Sequence, residues 1–266
     1  MLTTTAPAIL THDDLRRIAP SIFAVAPWGA MSDRYKMVPT IEVVGMLAGE
    51  GFYPVRAAQS RTRIDGKGDF TKHLIRFRHA DYLGVAVGAE LPELVLTNSH
   101  DGTSAYRFMS GIFRLVCSNG LTVQSADFGS VSVRHTGGSG FERHVLDATR
   151  EVIADGPRTL RKIDAWKGIE LAPRQREAFA AAVHELRDGS AIDPGALLTP
   201  RRAGDRKPDL WTTANVVQEN VMKGGLRGRA ETGRRFTTRP IKSVGEDVRL
   251  NRALWTLTER MAEILG

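Results

Sequence analysis

From residue 52 to about residue 135, apolar and polar positions alternate in short runs. From residue 141 onward the apolar positions recur every three or four residues. The first spacing is the period of a strand and the second that of a helix. The runs 52–64, 70–80, 93–126 and 129–135 therefore read as strands. Asp65-Gly66, Asp101-Gly102 and Asn119-Gly120 separate them, and these dipeptides are strong hairpin signals that predict antiparallel pairing. Ahead of the strands, Ile41, Val44 and Leu47 predict a short helix that begins near Pro39 and ends at Gly49 or Gly51. Residues 1–19 read as a loose lead-in with a short helix from Asp13.

After the strands, Phe141, Val145, Ala148 and Val152 share one helical face over residues 141–155. Further helices are predicted over 173–188, from Leu210 to a C-cap at Gly224 or Gly225, and over 247–265. Residues 189–208, rich in Pro, Gly and charge, read as an exposed loop. The fold class is α+β: an antiparallel β-meander with packed helices and a helical C-terminal region. The expected division is an α+β core over 20–156 and a mainly helical region over 157–266, packed together as one unit.

Composition changes this picture at one point. The 266 residues carry a formal charge of +7, with a pI near 9.8, on an otherwise ordinary globular composition. Such a pI belongs to the electrostatic footprint of nucleic-acid binders. The single cysteine, Cys117, excludes an intrachain disulfide. No secretory signal pattern opens the chain and no apolar run is long enough to cross a bilayer, so a soluble, cytoplasmic protein without membrane contact is expected. No metal-ligand spacing occurs among the seven histidines, and no cofactor motif is present. The run 135–140 (HTGGSG) before a helix resembles an anion-binding helix start but lacks the Gly-Lys-Ser/Thr ending of a P-loop.

Residues 95–121, VLTNSHDGTSAYRFMSGIFRLVCSNGL, resemble the central signature of the plasmid- and phage-borne DUF932 family, a domain of unknown function. Residues 215–225 and 239–255 resemble its C-terminal signature. The resemblance implies a mobile-element context rather than a reaction. More weakly, a helix, a basic antiparallel meander and a long helix in that order are similar to the core of single-strand annealing proteins. Those proteins form rings and lay single strands in a basic groove.

Charge is concentrated in residues 223–242, where Lys223, Arg227, Arg229, Arg234, Arg235, Arg239 and Lys242 face one acid, Glu231, among four glycines. Planar guanidinium forks suit phosphate oxygens. The second basic element is the strand over 70–80. There Lys72, Arg76 and Arg78 share a face with Leu74, and the preceding run adds Arg61 and Arg63. Of the aromatics Tyr53, Phe77, Tyr82, Tyr106, Phe108 and Phe113, Tyr106 beside Arg107 is the one expected to reach solvent and stack on a base.

The sequence thus predicts a nucleic-acid-binding protein, binding or annealing single-stranded DNA in recombination or replication and assembling as a homo-oligomer. No catalytic residue is assigned. The rival readings are a nuclease-like DNA-processing enzyme around His100, Asp101 and Cys117, and a protein that engages a host defence. Residues 98–101 read more simply as a turn, because Asn, Ser and Asp before Gly102 are turn formers.

Overall fold

The computed structural model describes residues 9–29, 35–83, 90–114, 120–122, 131–133, 140–187, 192–230 and 232–266. The fold is α+β. The described residues fall into two compact units. One lies within Met1–Ser118, Gln124–Gly156 and Ser243–Gly245, the other within Asn119–Val123, Pro157–Lys242 and Glu246–Gly266.

The first unit is built on an antiparallel meander of β1 (Phe52–Gln59), β2 (His73–His79), β3 (Glu90–Asn98) and β4 (Tyr106–Arg114). Of the two three-residue strands that follow in the chain, β5 (Gly120–Thr122) falls in the second unit and β6 (Val131–Val133) pairs with β4. Pro54 is accommodated because β1 is an edge strand and a register shift follows it, so that Pro54 faces Phe77 while Arg56 faces Arg76. β1 stops at Gln59 rather than continuing to residue 64, and Arg61 and Arg63 lie exposed in the connection to β2.

One sheet face carries Ile75, Phe77, Leu94, Leu96, Tyr106 and Phe108. Helix α1 (His12–Ile18) covers it with Leu15, and α2 (Thr40–Gly49) with Val43, Val44 and Leu47. Val145, near the start of α3 (Phe141–Lys167), joins the same core. α2 starts one residue after Pro39, whose fixed φ suits the position before a helix. α3 runs beyond the expected stretch 141–155 and continues through Pro157, where one backbone donor is missing.

The second unit holds α4 (Pro173–Glu185), α5 (Leu210–Lys223) and α6 (Val244–Leu265). Its centre is a tryptophan cluster in which the Trp166 and Trp255 rings lie 4.6 Å apart and Trp211 lies 6.0 and 6.3 Å from them. α5 is buried on all sides except at Lys223. Several of its polar residues are bonded internally: Gln218 donates to Asn251 (2.6 Å), and Asn220 donates to the carbonyls of Leu197 and Thr199 (2.8 and 2.9 Å). The region expected as an exposed loop is instead a clamp. Residues 192–208 bury Ile192, Leu197 and Asp205, and Arg202 forks onto Glu219 of α5 at 2.6 and 2.8 Å. Leu197 and Ile192 are the apolar anchors of that segment; its Pro, Gly and charge concealed them.

Candidate nucleic-acid interface

Residues 223–242 form a short ribbon between α5 and α6. Helix α5 ends at Gly224, which has φ 62° and ψ −147°. A Cβ at Gly224 would lie 2.7 Å from the Thr238 carbonyl oxygen and the Arg239 carbonyl carbon, so only glycine fits this close crossing. From there the chain enters β7 (Arg227–Arg229), turns, and returns as β8 (Arg235–Thr237). The turn is closed by Ala230 N–H donating to the Arg234 carbonyl (2.9 Å), with Gly233 at φ 81°.

The base of the ribbon is fastened at several points. Gly225 N–H donates to the Thr238 carbonyl (2.8 Å), Leu226 N–H to the Thr238 hydroxyl (3.0 Å) and Ile241 N–H to the Met222 carbonyl (2.9 Å). The Arg187 guanidinium donates to the carbonyls of Val221, at 2.8 Å, and Arg239. The Arg201 guanidinium bridges Asn220 (2.7 Å) and the Gly224 carbonyl. The basic segment is thus fastened to α5 and to the guanidiniums of Arg187 and Arg201.

Register then decides what the ribbon presents. Arg227 lies opposite Thr237, Gly228 opposite Phe236, and Arg229 opposite Arg235. Side chains alternate along a strand, so Arg227, Arg229 and Arg235 share one face. All of them are exposed, as are Arg234 and Arg239. Two like charges directly across a strand pair repel, and a bound anion relieves that repulsion. Among the described residues, no carboxylate forms an ion pair with Arg227, Arg229, Arg234, Arg235 or Arg239. Lys223 differs: it is half-buried and paired with Glu219 at 2.7 Å. The ribbon and Asp193 line a cavity of about 710 Å³, within the size range of small-ligand sites.

The basic strand β2 behaves in the opposite way. Its alternation is as expected, with Leu74, Arg76 and Arg78 on one face, but that face is interior. Glu93, on β3, is buried between the two arginines. Its Oε2 accepts from Arg76 at 2.6 Å, and its Oε1 accepts from Arg78 Nη2 at 2.6 Å and Nε at 3.0 Å. Burial pulls the Arg76 guanidinium down to about 10, against the opposing pull of Glu93. Arg76 and Arg78 therefore do not form the solvent-facing cationic surface expected of them. Tyr106 is likewise buried, at 0% exposure, and donates its hydroxyl proton to the Val38 carbonyl. The exposed member of that pair is Arg107, because the Tyr106 face is the core face. Lys72 is half-buried.

The chain carries the family signal across most of its length: the model of a domain of unknown function, DUF932, matches residues 27–255. The chain belongs to the DUF932 family. Two Escherichia coli K12 proteins, described as UPF0380 protein YafZ and UPF0380 protein YfjQ, are each 40% identical to this DUF932 chain over 255 residues, covering 95% of it and 91% of the relative. No solved structure matches it significantly.

The His100 region of this DUF932 chain belongs to a buried hydrogen-bond network whose proton positions can be deduced. The Gln59 amide donates to the Gly68 carbonyl (2.6 Å), so its oxygen accepts from Ser21 N–H and Oγ–H (3.0 and 2.8 Å). The Ser21 hydroxyl has one proton, already used, and so accepts from His73 Nδ1 at 2.8 Å. In a neutral ring His73 Nε2 is then an acceptor, and Thr40 O–H donates to it at 2.9 Å. The two Thr40 lone pairs take Asn98 Nδ2–H (3.1 Å) and His100 Nε2–H (3.0 Å). Ser21, Thr40, His73, Asn98 and His100 are all fully buried. The hydroxyls and the histidine nitrogens facing them are engaged inside the fold, which leaves the network a structural role.

Beyond Asn98 the chain turns. Asp101 accepts from Thr103 N–H (3.1 Å) and Thr103 Oγ1 (2.5 Å) and pairs with Lys67 at 3.1 Å. Burial alone would raise the Asp101 carboxyl; hydrogen bonds from Thr103, Ser99 and Lys67 outweigh it and bring the group to about 2. Cys117 and residues 135–139 lie outside the described residues. Among the described residues, no group of three or more His, Cys, Asp or Glu is arranged to hold a metal, and no helix is long and apolar enough to cross a membrane. Sequence reasoning misses Asp193, because it stands about 35 residues before the ribbon, in a segment whose Pro, Gly and charge predict an exposed loop.

Proposed function

We propose that this DUF932 protein binds nucleic acid, with single-stranded DNA as the preferred form, through the β7–β8 ribbon. The observation that carries the reading is the set of three exposed guanidiniums, Arg227, Arg229 and Arg235, on one ribbon face lining an open cavity. Alternate residues on a strand are roughly 7 Å apart, so Arg227 and Arg229 engage successive charges along an extended backbone. Arg235, across from Arg229, adds a second fork to one of those charges. A polyanion whose phosphates follow one another in a line fits such a ribbon, and a flexible single strand adapts to it more readily than a stiff duplex. Arg234 and Arg239 extend the basic surface; Arg61, Arg63 and Arg107 are among the exposed cations of the first unit. Annealing or recombination of plasmid or phage DNA, in the cytoplasm and by an oligomer, is the use that this reading suggests.

A mobility-shift comparison of single-stranded DNA, duplex DNA and RNA at two salt concentrations tests it. The expected result is binding that weakens steeply with salt and favours the single strand. Absence of binding at low salt rejects the proposal. A nuclease-like reading around His100 has no observation in its favour, since the described part of that region is an internally bonded network.

A further inference from the structure

Asp193 is an anomaly in a phosphate-binding cavity. It lines the same cavity as Arg227, Arg229 and Arg235, and it is exposed. A fixed negative charge there repels any phosphate that the arginines attract. It is also not present as a counter-ion, because among the described residues no ion pair joins Asp193 to a ribbon arginine. Nor is it a loosely held surface side chain. It caps the turn Pro194–Leu198, with its Oδ1 accepting from Gly195 N–H at 2.9 Å. That turn is anchored by buried Leu197 and by Asn220, which binds the carbonyls of Leu197 and Thr199. An ionised carboxylate has about four acceptor positions, and this hydrogen bond uses one. A positioned acceptor with remaining capacity, opposite three phosphate-binding forks, calls for a ligand that is anionic at one end and a donor at the other.

A nucleotide unit has that character. Inside a DNA strand the sugar has no free hydroxyl, so its donors are the amino and imino N–H groups of the bases. Aspartate is a recognised acceptor for such groups, as for cytosine N4. Resting on the proposed function above, we infer that Asp193 is a base-contacting residue: the ribbon arginines hold the phosphate of one nucleotide while the Asp193 carboxylate accepts a hydrogen bond from its base. Asp193 then makes binding depend on the base, where an arginine patch alone would respond only to the backbone.

The test uses the full chain and two labelled single strands of equal length, one of deoxycytidine and one abasic, titrated at one salt concentration. The wild type is expected to bind the base-bearing strand about tenfold more tightly, the scale of one hydrogen bond to a charged acceptor. In Asp193→Ala the ratio of the two affinities should fall toward one, while affinity for the abasic strand holds or rises. Asp193→Asn keeps an oxygen for Gly195 and removes the charge; its ratio should lie between the other two. A ratio unchanged in both variants overturns the inference but leaves DNA binding standing, because stacking alone would then explain base dependence. Failure of the wild type to bind either strand rejects the proposed function together with it.

Discussion

Two strand elements of this chain carry closely spaced arginines, and they differ in what answers the charge. On β2, Arg76 and Arg78 lie inside the sheet with Glu93 on the neighbouring strand between them. On the β7–β8 ribbon, Arg227, Arg229 and Arg235 share an exposed face, and Arg229 stands opposite another arginine. The local sequences, RFR and RGR, are nearly alike in charge and alternation. What separates them is the neighbour: on β2 the arginines are buried against a cross-strand carboxylate, whereas those of the two-stranded ribbon are exposed and, among the described residues, have none. A charge satisfied within the fold has a structural role, and one left unanswered at the surface is available to a partner.

The sharpest way to break the comparison is Glu93→Gln. Two buried guanidiniums then lose their counter-charge, and removal of one partner from a buried pair costs about 3–5 kcal/mol. Denaturant unfolding should show a loss of that order, against a change within about 0.5 kcal/mol for alanine at Arg227, Arg229 or Arg235. Comparable losses in the two sets would erase the distinction. Next in size is Gly224→Ala, which places a Cβ 2.7 Å from backbone atoms at a φ of 62°. It should cost about 2–3 kcal/mol and loosen the ribbon, read as faster amide exchange at Gly225 and Thr238.

The smallest expected effect concerns acid. Asp101 is held near 2, below its usual 3.8, so it contributes stability that is complete above about pH 4 and lost as the pH falls through about 2. Asp101→Asn should flatten the stability profile in that window alone. Alanine at Arg227, Arg229 or Arg235 should leave the profile in that window unchanged.

Local signals in the sequence carried much of this. The Asp-Gly turns, the start of α2 after Pro39 and the end of α5 at Gly224 depend on the conformational limits of a few residues, which are visible in a single chain. The strand alternation around Arg76 and Arg78 was also legible. The counter-charge between them was not, because it depends on sheet register: Phe77 pairs with Leu94, which brings Glu93 alongside the two arginines. Tyr106 escaped for the same reason, since alternation separates two faces without saying which is the core. Asp193 reaches the ribbon cavity only through a clamp whose anchors, Ile192 and Leu197, lie in a segment rich in Pro, Gly and charge.

The contrast between satisfied and unanswered arginines is tested most directly by the salt dependence of single-stranded DNA affinity, for the wild type and for Arg227→Ala/Arg229→Ala/Arg235→Ala. Each phosphate neutralised on a single strand contributes roughly 0.7 to the slope of log affinity against log salt. With two phosphates shared among the three arginines, the slope should therefore shrink by about 1.4 in the triple variant while its unfolding transition stays in place. Identical slopes for the two proteins would contradict the account.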